Sequence, residues 1–143
     1  MEKNIEVIAR AIVIKNDKIL LCKNKQKPHY FIPGGHVEFG EKAEITLVRE
    51  FQEEVGASVS NFNFIGVSEN TYTDEKEIFH HEINLTFSAE IKEDEIISQE
   101  DHLEFAWIEL EKFSETLVKP EELKEKISCW FINKKIFWSS EIK

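Results

Sequence analysis

The sequence predicts a single α/β domain spanning residues 1–143. Three observations carry that expectation. Runs rich in Val, Ile and Phe recur at strand length. One internal segment, Lys42 to Val55, sets apolar residues at helical spacing. The chain, 143 residues with 41% hydrophobic and 32% charged side chains, has the length of one domain and enough apolar surface for its core.

The elements follow in order. Glu6 to Lys15 (EVIARAIVIK) is apolar on both faces, as a central strand requires. Asn16-Asp17 signals a turn, and Lys18 to Lys23 reads as the returning hairpin strand. Asn24 to Tyr30 is a polar loop, and Phe31-Ile32-Pro33 is expected to form a short strand entering Gly34-Gly35. In the helix from Lys42 to Val55, the residues Leu47, Val48, Phe51 and Val55 share one face, and Gly56 terminates it. Ser58 to Glu69 and Phe79 to Ile91 read as strands, joined by a charged loop that holds Tyr72. The second alternates at Ile83, Leu85, Phe87 and Ala89. Glu104 to Leu110 is a further strand, and Pro120 opens a final helix running to about Ile132. The last ten residues carry no clear pattern.

The net charge of −10 repels a phosphate backbone, which disfavours nucleic acid as a partner. Small anionic substrates remain accessible through a divalent metal. The two cysteines, Cys22 and Cys129, stand far apart and outside any C-x-x-C spacing. A disulfide scaffold is therefore not expected, and a reducing cytoplasm is. Met1-Glu2-Lys3-Asn4 leads into a strand-like segment without the apolar stretch of a signal peptide. No run is long enough to span a membrane, so no membrane partner is expected.

The chemistry concentrates in Gly35 to Ala57, GHVEFGEKAEITLVREFQEEVGA. Glu50, Glu53 and Glu54 stand at i, i+3 and i+4, so their carboxylates share one helix face. Such like-charge pairs destabilise an isolated helix by ~0.2–0.5 kcal/mol each. A hard divalent cation would turn that repulsion into binding, since Mg²⁺ takes carboxylates, waters and substrate phosphates octahedrally. Arg49 stands within reach of a carboxylate as a bidentate fork. An arbitrary acidic helix face is usually just solvated. Chance assembly of all seven fixed positions, however, is below ~1 in a million from average residue usage.

The stretch resembles the Nudix box, G-x5-E-x7-R-E-U-x-E-E-x-G-U with U a bulky aliphatic residue. Every fixed position matches. Phe51 is aromatic and Ala57 small where aliphatic residues are usual, which touches packing and not chemistry. The resemblance implies a mixed β-sheet sandwiched between α-helices. It implies Mg²⁺- or Mn²⁺-dependent hydrolysis of a nucleoside diphosphate linked to another moiety, as in a nucleoside triphosphate, a dinucleoside polyphosphate or a nucleotide sugar. Metal ligands would be Glu50, Glu53, Glu54 and the carbonyl of Gly34. Arg49 would orient the glutamates, and Glu41 would be structural or outer-shell. The base that takes the water's proton would be Glu53 or Glu100, with Glu104 and Glu82 behind them. Homodimers are common in the family, so by analogy a second copy of the chain is a candidate partner.

Arg10 interrupts an apolar strand and needs an anionic partner, whether Glu41, a box carboxylate or a substrate phosphate. Tyr72 resembles a marker of dinucleoside polyphosphate hydrolases. His80 and His81 point to opposite faces of a strand and so do not share one ion; His81 is the candidate for facing substrate. Two alternatives accompany the hydrolase reading. One is a nucleotide-sensing domain that does not hydrolyse. The other is an isoprenoid diphosphate isomerase, for which Cys22 on a core strand offers little.

Overall fold

The computed structural model describes residues 3–143, so the Met1-Glu2 part of the N-terminal reading lies outside it. The sheet is mixed, with strand order β6-β2-β1-β5-β4-β7 and β3 paired to β1. Its strands are β1 (Ile5–Lys15), β2 (Lys18–Asn24), β3 (Gly34–His36), β4 (Val59–Thr73), β5 (Phe79–Ile91), β6 (Leu103–Glu109) and β7 (Phe137–Ser140). Two α-helices, α1 (Ala43–Val55) and α2 (Glu121–Asn133), cover opposite faces. The expected α/β sandwich is the observed one.

β1 is central because it pairs on both sides. It runs parallel to β5 from Ile5↔His81 to Val13↔Ala89. On its other side it meets β3 near its start, with Ala9↔Gly35 and Arg10↔Gly34. Near its end it meets β2 instead, through a turn whose Asn16 and Asp17 both take positive φ. The sheet thus forks along β1. One core, beneath α1, holds Ala9, Ala11, Leu20, Leu47, Phe51 and Val55. The other, beneath α2, holds Ile12, Ile19, Leu21, Ile32, Leu123 and Ile127.

Four local expectations are corrected. The short strand is Gly34–His36, not Phe31–Pro33; Phe31 makes only an isolated bridge to Cys22. Val48 is 40% exposed, and Thr46 takes the buried place beside Leu47, Phe51 and Val55. β4 runs on through Thr73, so Tyr72 lies on a strand rather than in a loop. The last ten residues supply β7, which pairs in parallel with β4 from Gly66↔Phe137 to Glu69↔Ser140.

Candidate active site

The loop entering α1 is shaped by close approach. A Cβ built on Gly35 would stand 2.5 Å from Glu50 Cγ and Oε1, so the missing side chain is the space that Glu50 fills. At the other end of α1, Gly56 adopts φ 64° and donates its N–H to Gln52 O, while Ala57 N donates to Phe51 O. This left-handed stop caps the helix's last carbonyls and turns the chain sharply beyond Glu53 and Glu54.

Arg49 organises the acidic cluster. Its Nε and Nη2 donate to the two oxygens of Glu41, each at 3.0 Å. Nη1 donates to Glu50 at 2.8 Å and Nη2 also reaches His36 O at 3.1 Å. Glu53 lies 3.7 Å from Nη1. Thr46 Oγ1 donates to Glu41 at 2.5 Å. With the Arg49 fork and this hydroxyl, the Glu41 carboxyl is held down to about 2. The Arg49 guanidinium rises in turn through Glu41 and Glu50.

Glu54 shows the opposite perturbation. Burial, then Glu50, Glu100 and Glu53, push its carboxyl well above the usual carboxylate range. Glu100 is brought there by its loop: Gln99 N donates to Glu54 O at 2.6 Å. Ser98 Oγ then folds the loop back by donating to Glu100 O at 2.8 Å. Glu50, Glu53, Glu54 and Glu100 therefore stand as neighbours. The other two carboxylates weighed as bases lie elsewhere, Glu104 paired with Lys23 at 3.7 Å and Glu82 beside Arg10.

The donor set suits a hard divalent cation. Among the described residues no three His, Cys, Asp or Glu side chains converge as a ready-made ion cage, and the Glu53 side chain is 56% exposed. Four carboxylates that repel one another, all but Glu53 partly buried, nevertheless offer the all-oxygen environment Mg²⁺ prefers. A cation would relieve the repulsion that, after burial, pushes the Glu54 carboxyl upward.

Of the remaining candidates, Arg10 and Tyr72 lie on the face opposite α1, and His81 does not. Arg10 is buried; its Nε donates to Asn84 Oδ1 at 2.6 Å and its Nη1 to Ile32 O at 2.8 Å. Its anionic partner is Glu82, at 3.8 Å, and not Glu41 or a box carboxylate. Tyr72 is 44% exposed and stacks on His80, with centroids 4.7 Å apart and planes 13° from parallel. Burial, then Glu82 and Glu6, push the Tyr72 hydroxyl up to about 12. His80 is clamped by Glu6 and Asp74, each at 2.8 Å. His81 points to the other face, where its buried Nε2 has no partner among the described residues. Ser68 Oγ and Thr86 Oγ1 are buried without partners as well. Asn70 and Asn84, which link this group, were missed by sequence reasoning; Asn84, two residues after Glu82, carried an alternation signal, whereas Asn70 meets Glu82 only through the β4–β5 register.

Comparison with known proteins adds the following. A family model described as NUDIX domain matches residues 6–131. An NAD-capped RNA hydrolase, NudC, of Pseudomonas aeruginosa is 38% identical over 107 residues, 70% of this chain and 34% of that protein. This chain thus spans about a third of that relative's length. A probable DHNTP pyrophosphohydrolase of Lactococcus lactis subsp. cremoris is 30% identical over 128 residues, 85% of this chain and 71% of that protein. A crystal structure of a mutator MutT protein from Bacillus halodurans superimposes with a TM-score of 0.79 at 24% identity, covering 94% of this chain and 88% of that one. That likeness concerns the fold.

Proposed function

The chain belongs to the NUDIX family, and from that premise we propose that it is a divalent-metal-dependent hydrolase. Its bond is a phosphoanhydride in a nucleoside diphosphate linked to another moiety. The observation that carries this reading is the gathering of Glu50, Glu53, Glu54 and Glu100, with Arg49 clamping Glu50 and Glu41.

Glu50, Glu53 and Glu54, with the Gly34 carbonyl, would hold Mg²⁺ or Mn²⁺. When bound, such an ion neutralises a diphosphate and lowers the pKa of a coordinated water. The chain's own residues do the rest. Arg49 fixes Glu50 in place through a charge-assisted hydrogen bond at 2.8 Å. Glu41, held ionised by Arg49 and Thr46, locks the guanidinium plane so that Nη1 faces the cluster. Glu53, largely exposed, or Glu100, tethered beside Glu54, would take the proton from attacking water. Tyr72, half-exposed and stacked on His80, would present its ring to a base.

The test is a product screen of wild type beside Glu53→Gln and Glu100→Gln. Substrates are nucleoside triphosphates, dinucleoside polyphosphates, ADP-ribose, NADH and nucleotide sugars, with Mg²⁺ and then Mn²⁺. Metal-dependent cleavage by wild type that falls at least ~100-fold in one variant supports the reading and names the base. If no substrate turns over above the Glu53→Gln background, the hydrolase reading is lost. A nucleotide that still binds and raises the melting temperature would then indicate a sensor.

A further inference from the structure

Behind the acidic cluster lies a ring of buried polar side chains that is closed everywhere but at one link. Arg10 Nε donates to Asn84 Oδ1 at 2.6 Å. Asn84 Nδ2 donates to Asn70 Oδ1 at 2.8 Å. Asn70 Nδ2 reaches Glu82 Oε1 at a slack 3.4 Å. The ring would close from Glu82 to Arg10 Nη2, but that gap is 3.8 Å, too long for a hydrogen bond. Both side chains are more than nine-tenths buried, at 9% and 8% exposure. Neither Glu82 oxygen accepts a hydrogen bond shorter than 3.4 Å among the described residues.

This is a costly arrangement for a purely structural pair. Burying two opposite charges is compensated only when their geometry is close and their hydrogen-bonding capacity is used. Here the guanidinium is locked in orientation by Asn84 and by Ile32 O, yet among the described residues its Nη2 makes no hydrogen bond and Glu82 accepts only the 3.4 Å contact from Asn70. A preorganised donor next to a preorganised acceptor pair is the form of a recognition site.

We propose that Arg10 and Glu82 read the edge of the substrate's base, and that the base is a 2-amino-4-oxopyrimidine type of ring, as in guanine. Such an edge presents two adjacent N–H donors beside one carbonyl oxygen. The two oxygens of Glu82 match the donors, and Nη2 of Arg10 matches the carbonyl. Adenine offers a single amino donor beside a ring nitrogen and fills fewer of these positions. Tyr72, one step along β4 from Asn70 on the same face, flanks the ring.

The location agrees with the diphosphate chemistry. Arg10 pairs with Gly34 across β1 and β3, next to the Ala9↔Gly35 pair over which Glu50 packs. The specificity inference rests on the hydrolase reading for its substrate, but its test does not.

Melting-temperature titrations with GMP, IMP and AMP, without metal, read binding alone. kcat/KM for matched guanine, hypoxanthine and adenine nucleotides, with Mg²⁺, reads turnover. The expected order is guanine over hypoxanthine over adenine, with guanine ahead of adenine by roughly tenfold or more and mainly in KM. Glu82→Gln replaces one acceptor with a donor and should erase that preference in both readouts. Equal affinity for the three monophosphates, or a guanine preference that survives Glu82→Gln, overturns the inference. The base series on wild type decides even if the variant does not fold. Selective binding of GMP without turnover of any nucleotide keeps the inference and removes the hydrolase reading.

Discussion

Replacing Gly35 by Ala should separate the site from the fold. A Cβ there would stand 2.5 Å from Glu50 Cγ and Oε1, where ordinary contact begins at 3.4 Å. The Glu50 side chain must therefore retreat by roughly 1 Å, which it can do because it is the end of a flexible chain; misplacing a site group that far costs on the order of 100-fold in rate. The stability cost should stay at the low end of overpacking, about 1 kcal/mol. Gly34→Ala is the counter-case. Its Cβ would meet backbone, with Ala9 C at 2.8 Å and Arg10 Cα at 2.9 Å. Backbone in a central ladder cannot step aside, so the cost should reach about 3 kcal/mol or more. The assay is thermal unfolding of both variants, followed by Mg²⁺ titration and turnover on the best nucleotide substrate. Gly35→Ala should lose metal affinity and about two decades of kcat/KM at nearly wild-type melting temperature. Gly34→Ala should lose stability first. If Gly35→Ala keeps activity within about threefold, the placement of Glu50 against that glycine is not what organises the site.

Three further outcomes are expected. Arg49→Lys keeps the charge but cannot fork onto Glu41 while holding Glu50; activity should fall ~10–100-fold with the fold intact, as for lost outer-shell contacts, and steady-state kinetics beside circular dichroism will show it. The Glu41 carboxyl is lowered from 4.5 to about 2 in the folded protein. Its contribution to stability is thus present above pH 4.5 and lost as pH falls toward 2, and denaturant unfolding across that window should show the loss in wild type but not in Glu41→Gln. Finally, Glu54→Gln removes a carboxyl whose ionised form is opposed by burial and by Glu50, Glu100 and Glu53, and which the metal-free fold must therefore hold protonated at neutral pH. The metal-free variant should melt roughly 3 °C or more above wild type at neutral pH, while losing the stabilisation that Mg²⁺ gives wild type.

The acidic site was legible because local periodicity decides it. The spacing of Glu50, Glu53 and Glu54 sets a shared helix face whatever surrounds it, and Arg49 reaches Glu50 within the same turn. Glu100 was readable only through resemblance, since its arrival depends on one hydrogen bond from Gln99 to the end of α1. Val48 was misjudged for a related reason. The apolar stripe of α1 is narrower than its run of hydrophobic residues, and Thr46 is drawn inward to hold Glu41.

The face opposite α1 could not have been read this way. Glu82, Asn84 and Thr86 on β5 alternate with Ile83, Leu85 and Phe87, the pattern of a strand with one wet face, and Ser68 and Asn70 on β4 stand in a largely polar run. All five are at most 6% exposed. They are enclosed by elements distant in sequence. β7, drawn from the last ten residues, extends the sheet beyond β4. There Ser139 Oγ donates to Glu122 of α2 at 2.9 Å, which ties the helix down at that edge. Burying so many polar groups is unfavourable unless they satisfy one another. The chain of Arg10, Asn84, Asn70 and Glu82 does so at every link but the last. A fold under selection for stability alone would have filled this face with Val and Leu. That it holds a rigid polar ring with one open link is what ties the region to recognition rather than to packing.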